Sequence, residues 1–325
     1  MTNFFRNLGK DQEGLALVLV AAAMTVILGF AALVVDIGSV YLTRSRLINA
    51  CDAAALAGAH ELNSETGSAL DAMQEATDYL EHNNIIFGED SFNIEVDDKT
   101  ITVESSRTVN YTFARVLGFT SNTVNSRAAA IYGAVSAVGG VTPFAVPDQE
   151  LVFDKQYVLK EGSGGSSDDG FRIHGNFGAL ALGGHGAKNY EENLKYGYHG
   201  GINVGDMVTI GDLVETEPGN MSGPTYDGVT YRLNQCSNGC TPQNYEPDCK
   251  RVITVPVFDP ATLDSGRDDV LIVGFASFML KGVDGTGNES EVTGTFLKMA
   301  PSPEISYTVD PDAPDYGLHA AKLVE

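Results

Sequence analysis

GLALVLVAAAMTVILGFAALVV, running from Gly14 to Val35, is a stretch of 22 residues without a charged side chain. As an α-helix it is about 33 Å long at 1.5 Å per residue, close to the thickness of a bilayer's hydrocarbon core. A secretory signal has a shorter apolar core, roughly 7 to 15 residues, and a small-residue cleavage site directly after it. Here the run meets Asp36 and a helical pattern that continues unbroken, so the reading is a retained, uncleaved transmembrane helix over 14–35. A buried helix of a globular domain is the weaker reading, because such helices seldom lack charge on every face.

Working outward, residues 1–13 carry Arg6 and Lys10 against Asp11 and Glu13, which sum to zero. The net charge of -23, from 20 Lys and Arg against 43 Asp and Glu, therefore lies after the anchor. So acidic a surface repels phosphate backbones and argues against nucleic acid as a partner. Arg6 and Lys10 favour a cytoplasmic N terminus, opposed slightly by Arg44 and Arg46 on the far side. The expected topology is single-pass, with the N terminus inside and the C-terminal region outside the cytoplasm.

Past Asp36 the pattern turns amphipathic: Ile37, Val40, Tyr41, Leu47, Ile48, Cys51, Ala54, Ala55, Gly58 and Leu62 recur mostly three and four apart. The helix is expected to continue beyond the membrane. Its narrow stripe of alanines with one glycine lets another backbone approach, either from its own domain or from a neighbouring subunit.

Gly14 opening the apolar run, Val35-Asp36-Ile37-Gly38 closing it, Tyr41 and Arg44 after it, and Asp52-Ala53-Ala54-Ala55-Leu56-Ala57 on the helix together resemble the N-terminal segment of TadE/TadG-like proteins. The resemblance is strong over residues 10 to 62. It implies a protein anchored in a bacterial cytoplasmic membrane and associated with Flp pilus assembly or tight adherence, with envelope or pilus-assembly proteins as partners besides the lipid bilayer. Cleavage after Gly9 would place Glu13 at the fourth mature position, where processed pseudopilins of the family have Glu at the fifth, so the anchor, Gly14 to Asp36, is read as intact. Larger family members carry a metal-dependent adhesion motif, DxSxS, which this sequence lacks.

The remainder suggests an α+β chain. A helix is expected over 65–82, with Leu70, Met73, Ala76, Thr77 and Leu80 on its packed face. A hairpin follows, Phe92–Val96 and Thr100–Glu104 around Asp97-Asp98-Lys99, then a helical turn over 111–118 and a strand over 122–135. With the extramembrane helix these make a small α+β domain, 36–137. Gly139-Gly140 and Pro143 to Pro147 mark a boundary. Residues 138–300 read as a Gly-rich, mainly β module, a sandwich or barrel, with strands over 151–159, 178–182, 207–210, 229–233, 252–258, 270–280 and 292–299. Residues 301–325 read as an extended acidic tail.

Chemistry is sparse. Cys236, Cys240 and Cys249 fall within 14 residues, far from Cys51, which is expected to pack as a small apolar residue. A local disulfide joining two of the three is the first expectation outside the cytoplasm, with a zinc site or three free thiols as rivals. No metal or other cofactor is expected. His174, His185 and His199 cluster near Asp168, Asp169 and Tyr190, but no HExxH spacing accompanies them and no G-x-S-x-G occurs. Gly219 to Thr225 reads as a turn, since it lacks the lysine of a phosphate loop. The leading expectation is a non-enzymatic component acting by protein interaction. The alternative is an anchored enzyme or ligand-binding module using the three histidines.

Overall fold

An unbroken supply of Ala, Leu, Val and Met, with no proline, carries one helix, α1, from Gln12 to Glu61. The computed structural model describes residues 12–62, 67–85, 90–160, 178–199, 207–246, 248–263, 269–285, 290–302 and 304–324. From Leu17 to Val35 the large apolar side chains of α1 are exposed, and the helix is long and apolar enough to cross a membrane. A helical stretch apolar on all faces, with nothing among the described residues packed on it, suits lipid as its solvent. Two compact units follow from the contacts, Met1–Ala130 with Leu323–Glu325, and Ile131–Lys322.

In the first unit the C-terminal half of α1 buries Leu47, Ala50, Cys51, Ala54, Ala55 and Ala59. The packed stripe therefore starts at Leu47. Ile37 and Tyr41, expected on it, are exposed. Helix α2, Ala69–His82, begins at a capping box: the Asp71 N–H donates to Ser68 Oγ at 3.2 Å, and the Ser68 N–H donates to Asp71 Oδ2 at 3.3 Å. Its buried face is Ala72, Ala76 and Leu80, rotated from the expected one, and Leu70 is exposed. The cause is Gly58 of α1. A Cβ there would lie 2.8 Å from the Ala72 carbonyl oxygen and 3.2 Å from Ala76 Cβ, so the two helices meet through their smallest residues. The alanine stripe of α1 thus packs within its own unit, against α2 and β2.

That β2 strand, Thr100–Asn110, pairs antiparallel with β1, Ser91–Asp97, with Asp97 opposite Thr100, as the hairpin pattern predicts. Asp98 takes the left-handed turn conformation at φ 50°. Arg107 clamps the buried Asp90 with two charge-assisted bonds, Nε to Oδ1 and Nη2 to Oδ2, each 2.5 Å. A short 3-10 turn, Ala114–Leu117, leads into β3, Ser121–Val138, along which the division between the units falls.

In the second unit β4 (Val146–Pro147), β5 (Gln156–Lys160), β8 (Val252–Phe258), β9 (Asp269–Asp284) and β10 (Glu291–Leu297) form a sheet in the order β4-β8-β9-β10-β5. β4 and β8 pair parallel, β8, β9, β10 and β5 pair antiparallel in turn, and β7 (Leu213–Glu215) pairs antiparallel with β9. Among the described residues this unit also holds the α-helices α3, Ala187–Tyr196, and α4, Ser222–Gln235. Tyr190, Leu194 and Val229 from these helices share a core with Val255, Phe278 and Phe296 of the sheet. The strand expected over 229–233 is thus helix. Thr225, Gly228, Val229 and Arg232 are buried at spacings of three and one, which is helical, and Val-Thr-Tyr-Arg-Leu only mimics strand alternation.

Residues 301–325 are not a tail. Strand β11, Tyr307–Asp310, pairs antiparallel with β3, Tyr307 opposite Val138, and β12, His319–Leu323, pairs with β3 too. Strand β6, Val208–Thr209, also joins β3. These strands are two to five residues long and lie among prolines and glycines, too short for a readable alternation.

Candidate functional site

Asp36, the first charge beyond the apolar run, is only 2% exposed. Its carboxylate accepts three backbone N–H groups: Thr112 at 2.8 Å on Oδ1, then Phe113 at 2.9 Å and Ala114 at 2.6 Å on Oδ2. These donors open the 3-10 turn Ala114–Leu117, whose N-cap residue is Phe113, a side chain unable to cap. The orphan donors of a helical start are therefore satisfied by an acid from α1. Burial pushes the Asp36 carboxyl up, and the three N–H donors outweigh it, holding the group below the usual carboxylate range. The sequence shows Asp36 as a stop to the apolar run. Its partners lie 76 to 78 residues away and are not legible there. The available hint is an acid at the edge of a bilayer, which needs donors of its own.

All three distal cysteines meet: the Sγ atoms of Cys236, Cys240 and Cys249 lie within 4.8 Å of one another, and all are free thiols. Cys249 Sγ lies 3.7 Å from Cys236 Sγ. Tetrahedral zinc with bonds of about 2.3 Å sets its sulfur ligands about 3.8 Å apart, a separation that the Cys236–Cys249 pair meets. Among the described residues no His, Asp or Glu oxygen or nitrogen joins the trio within that range. The Cys240 backbone N–H, helped by the neighbouring thiols and Arg251, lowers Cys236 to about 7, while burial raises Cys249. Arg251 is itself fixed, donating from Nε to the Leu280 carbonyl at 2.8 Å and from Nη1 to the Cys240 carbonyl at 2.9 Å. Cys51 is fully buried, and burial raises it as well.

A chemical consequence follows for the reduced protein. Iodoacetamide at pH 7 to 8 is expected to alkylate Cys236 first, with Cys249 slower and Cys51 untouched until unfolding. Peptide mapping by mass spectrometry reads this order, and equal modification of Cys236 and Cys249 would contradict it.

The histidines divide. His174 lies outside the described residues. His185 sits between two glutamates, Nε2 at 2.5 Å from Glu215 and Nδ1 at 3.2 Å from Glu217. Glu217 is buried and also accepts the N–H of Gly186, which precedes α3. His199 instead bonds the Tyr196 carbonyl at 3.2 Å and lines a cleft of about 300 Å³ with Lys195, Tyr231 and Arg232. Arg232 is buried and donates to the carbonyls of Leu194 and Lys250. His185 and His199 are thus held by different partners. The segment read as a turn at Gly219 to Thr225 holds Met221 in a left-handed conformation, φ 46°, and then starts α4.

No curated protein and no solved structure matches the chain. Residues 14–61, from the first residue of the apolar run to the end of α1, match the family model described as putative Flp pilus-assembly TadE/G-like, which bears out the resemblance carried by Gly14, Asp36 and the alanine-rich helix.

Proposed function

We propose that this chain is a membrane-anchored component of Flp pilus assembly or surface adherence, with everything after the anchor outside the cytoplasm, acting by protein interaction and not by catalysis. The observation that carries the reading is the match of residues 14–61 to the TadE/G-like family on a helix whose apolar half has no protein packed on it. The charge distribution supports the orientation: -23 on the region beyond the anchor suits a surface exposed to water and to cationic or polar partners. Envelope or pilus-assembly proteins are the partners this predicts. The alternative of an anchored enzyme or ligand-binding module draws no support from His185 and His199, which face different groups.

Deleting the gene tests the reading. Loss of pili and of surface adherence, restored by the intact gene, is expected. Pili and adherence at wild-type levels in the deletion strain would overturn it.

A further inference from the structure

The connection between β2 and β3 is closed by the Tyr111 N–H donating to the Thr120 carbonyl at 3.0 Å, and between these residues it exposes an unusual set of side chains. Val116 is 90% exposed, Leu117 73%, Phe119 64% and Phe113 46%. None of the residues of the 3-10 turn is buried. Four large apolar groups within seven residues of one loop, all facing solvent, are costly in water and mark a surface meant to be covered.

Its location says by what. Asp36 holds the start of this loop through the N–H groups of Thr112, Phe113 and Ala114, and Asp36 directly follows the apolar run. With Val35 at the edge of the hydrocarbon, the loop's backbone is pinned within about one helical turn, roughly 5 Å, of that edge. The adjacent turns of α1 continue the apolar surface, with Ile37, Tyr41 and Leu42 exposed. Tyrosine is at home in the membrane–water interface, and the exposed Arg115 can reach lipid phosphates from the same turn.

We propose that the loop 112–120 is a second membrane contact: Phe113, Val116, Leu117 and Phe119 insert into the interfacial layer of the leaflet on the side of α1 that Asp36 faces. The occupant is lipid, because the patch is continuous with the surface of the membrane helix. The Asp36 carboxylate is then the link that fixes loop and anchor at one depth, so the first unit is held by two points and not by a single swivelling helix. This inference rests on the membrane anchor assigned above.

The chain contains no tryptophan, so a single introduced one is an unambiguous reporter. Full-length Leu117→Trp, Met24→Trp and Leu70→Trp proteins are reconstituted into phosphatidylcholine–phosphatidylglycerol vesicles containing lipids brominated near the headgroup or near the chain ends. Position 24 lies within the apolar run, and Leu70 is exposed at the start of α2, beside the far end of α1. The expected result is a blue-shifted Leu117→Trp emission, quenched at least twofold by the shallow bromines and less by the deep ones. Met24→Trp is quenched most by the deep bromines, and Leu70→Trp by neither. Val116→Trp repeats the measurement at a second site, in case one substitution disturbs the turn. If Met24→Trp is quenched while both loop reporters behave like Leu70→Trp, the loop faces water or protein, and the proposal fails with the anchor intact. If Met24→Trp is itself unquenched, the anchor fails and the proposal with it.

Discussion

Asp36→Asn is expected to release the turn at Ala114–Leu117 while leaving the rest of the first unit folded. The amide keeps the shape of the carboxylate but loses its charge, and its NH₂ group confronts N–H donors that need acceptors. Bonds to a charged acceptor are worth about twice those to a neutral one. Losing the charge from a group that serves three donors at once translates into amide exchange roughly 10- to 100-fold faster at Thr112, Phe113 and Ala114. Exchange at Ile101 and Val103, buried in β2, is expected to stay as it is. The pH dependence carries the same signature. A carboxyl whose folded pKa is depressed stabilises fully above its unfolded value, about 3.9, and loses that contribution as pH falls through the folded pKa. After correction for intrinsic exchange, protection in the wild type should be flat from pH 5 to 8 and fall only below about pH 4. The asparagine variant should lack that transition. Unchanged protection in Asp36→Asn would mean that the clamp contributes nothing.

Gly58→Leu should strongly destabilise the first unit. Even a methyl at this position would sit 2.8 Å from the Ala72 carbonyl oxygen, which is backbone and cannot swing away. Overpacking of this kind costs about 1–3 kcal/mol, and an isobutyl group at a helix–helix contact falls at the upper end. Gly58→Ala should cost less, about 1 kcal/mol. Denaturant unfolding of the detergent-solubilised full chain measures both. Stability unchanged in Gly58→Leu, accompanied by a shift in oligomeric state, would show that Gly58 faces another subunit and not α2.

These two residues also show what a sequence exposes and what it conceals. The anchor, the hairpin around Asp98 and strands β8, β9 and β10 rest on local signals: an uncharged run, a left-handed turn residue, long β-branched segments. Gly58 is legible as a close-approach residue, because a lone glycine in an alanine stripe has few other uses. Its partner is not, since Ala72 and Ala76 look like weaker core residues than Leu70 and Met73 until the helix separation is known. Asp36 is legible as a boundary and not as a clamp, because its donors are backbone groups of a turn that no side chain marks. The three thiols are near in sequence, yet their convergence depends on the end of α4 returning to Val252 at the start of β8. Helix α4 itself misleads, since Val229-Thr-Tyr-Arg-Leu233 satisfies the strand pattern and only the burial of Thr225 and Gly228 one turn earlier reveals the longer period. Strands β11 and β12 exist because β3 offers them an edge, a property of the assembled sheet and not of residues 301–325.

The central claim is a single anchor with the whole remainder of the chain outside the cytoplasm. Epitope tags at the two ends, probed in cells stripped of their outer envelope but with the cytoplasmic membrane intact, test it directly. A tag after Glu325 that binds antibody before lysis, with a tag before Met1 that binds only after lysis, is the predicted result. A C-terminal tag hidden until lysis, or a chain that leaves the membrane in alkaline carbonate, would contradict it.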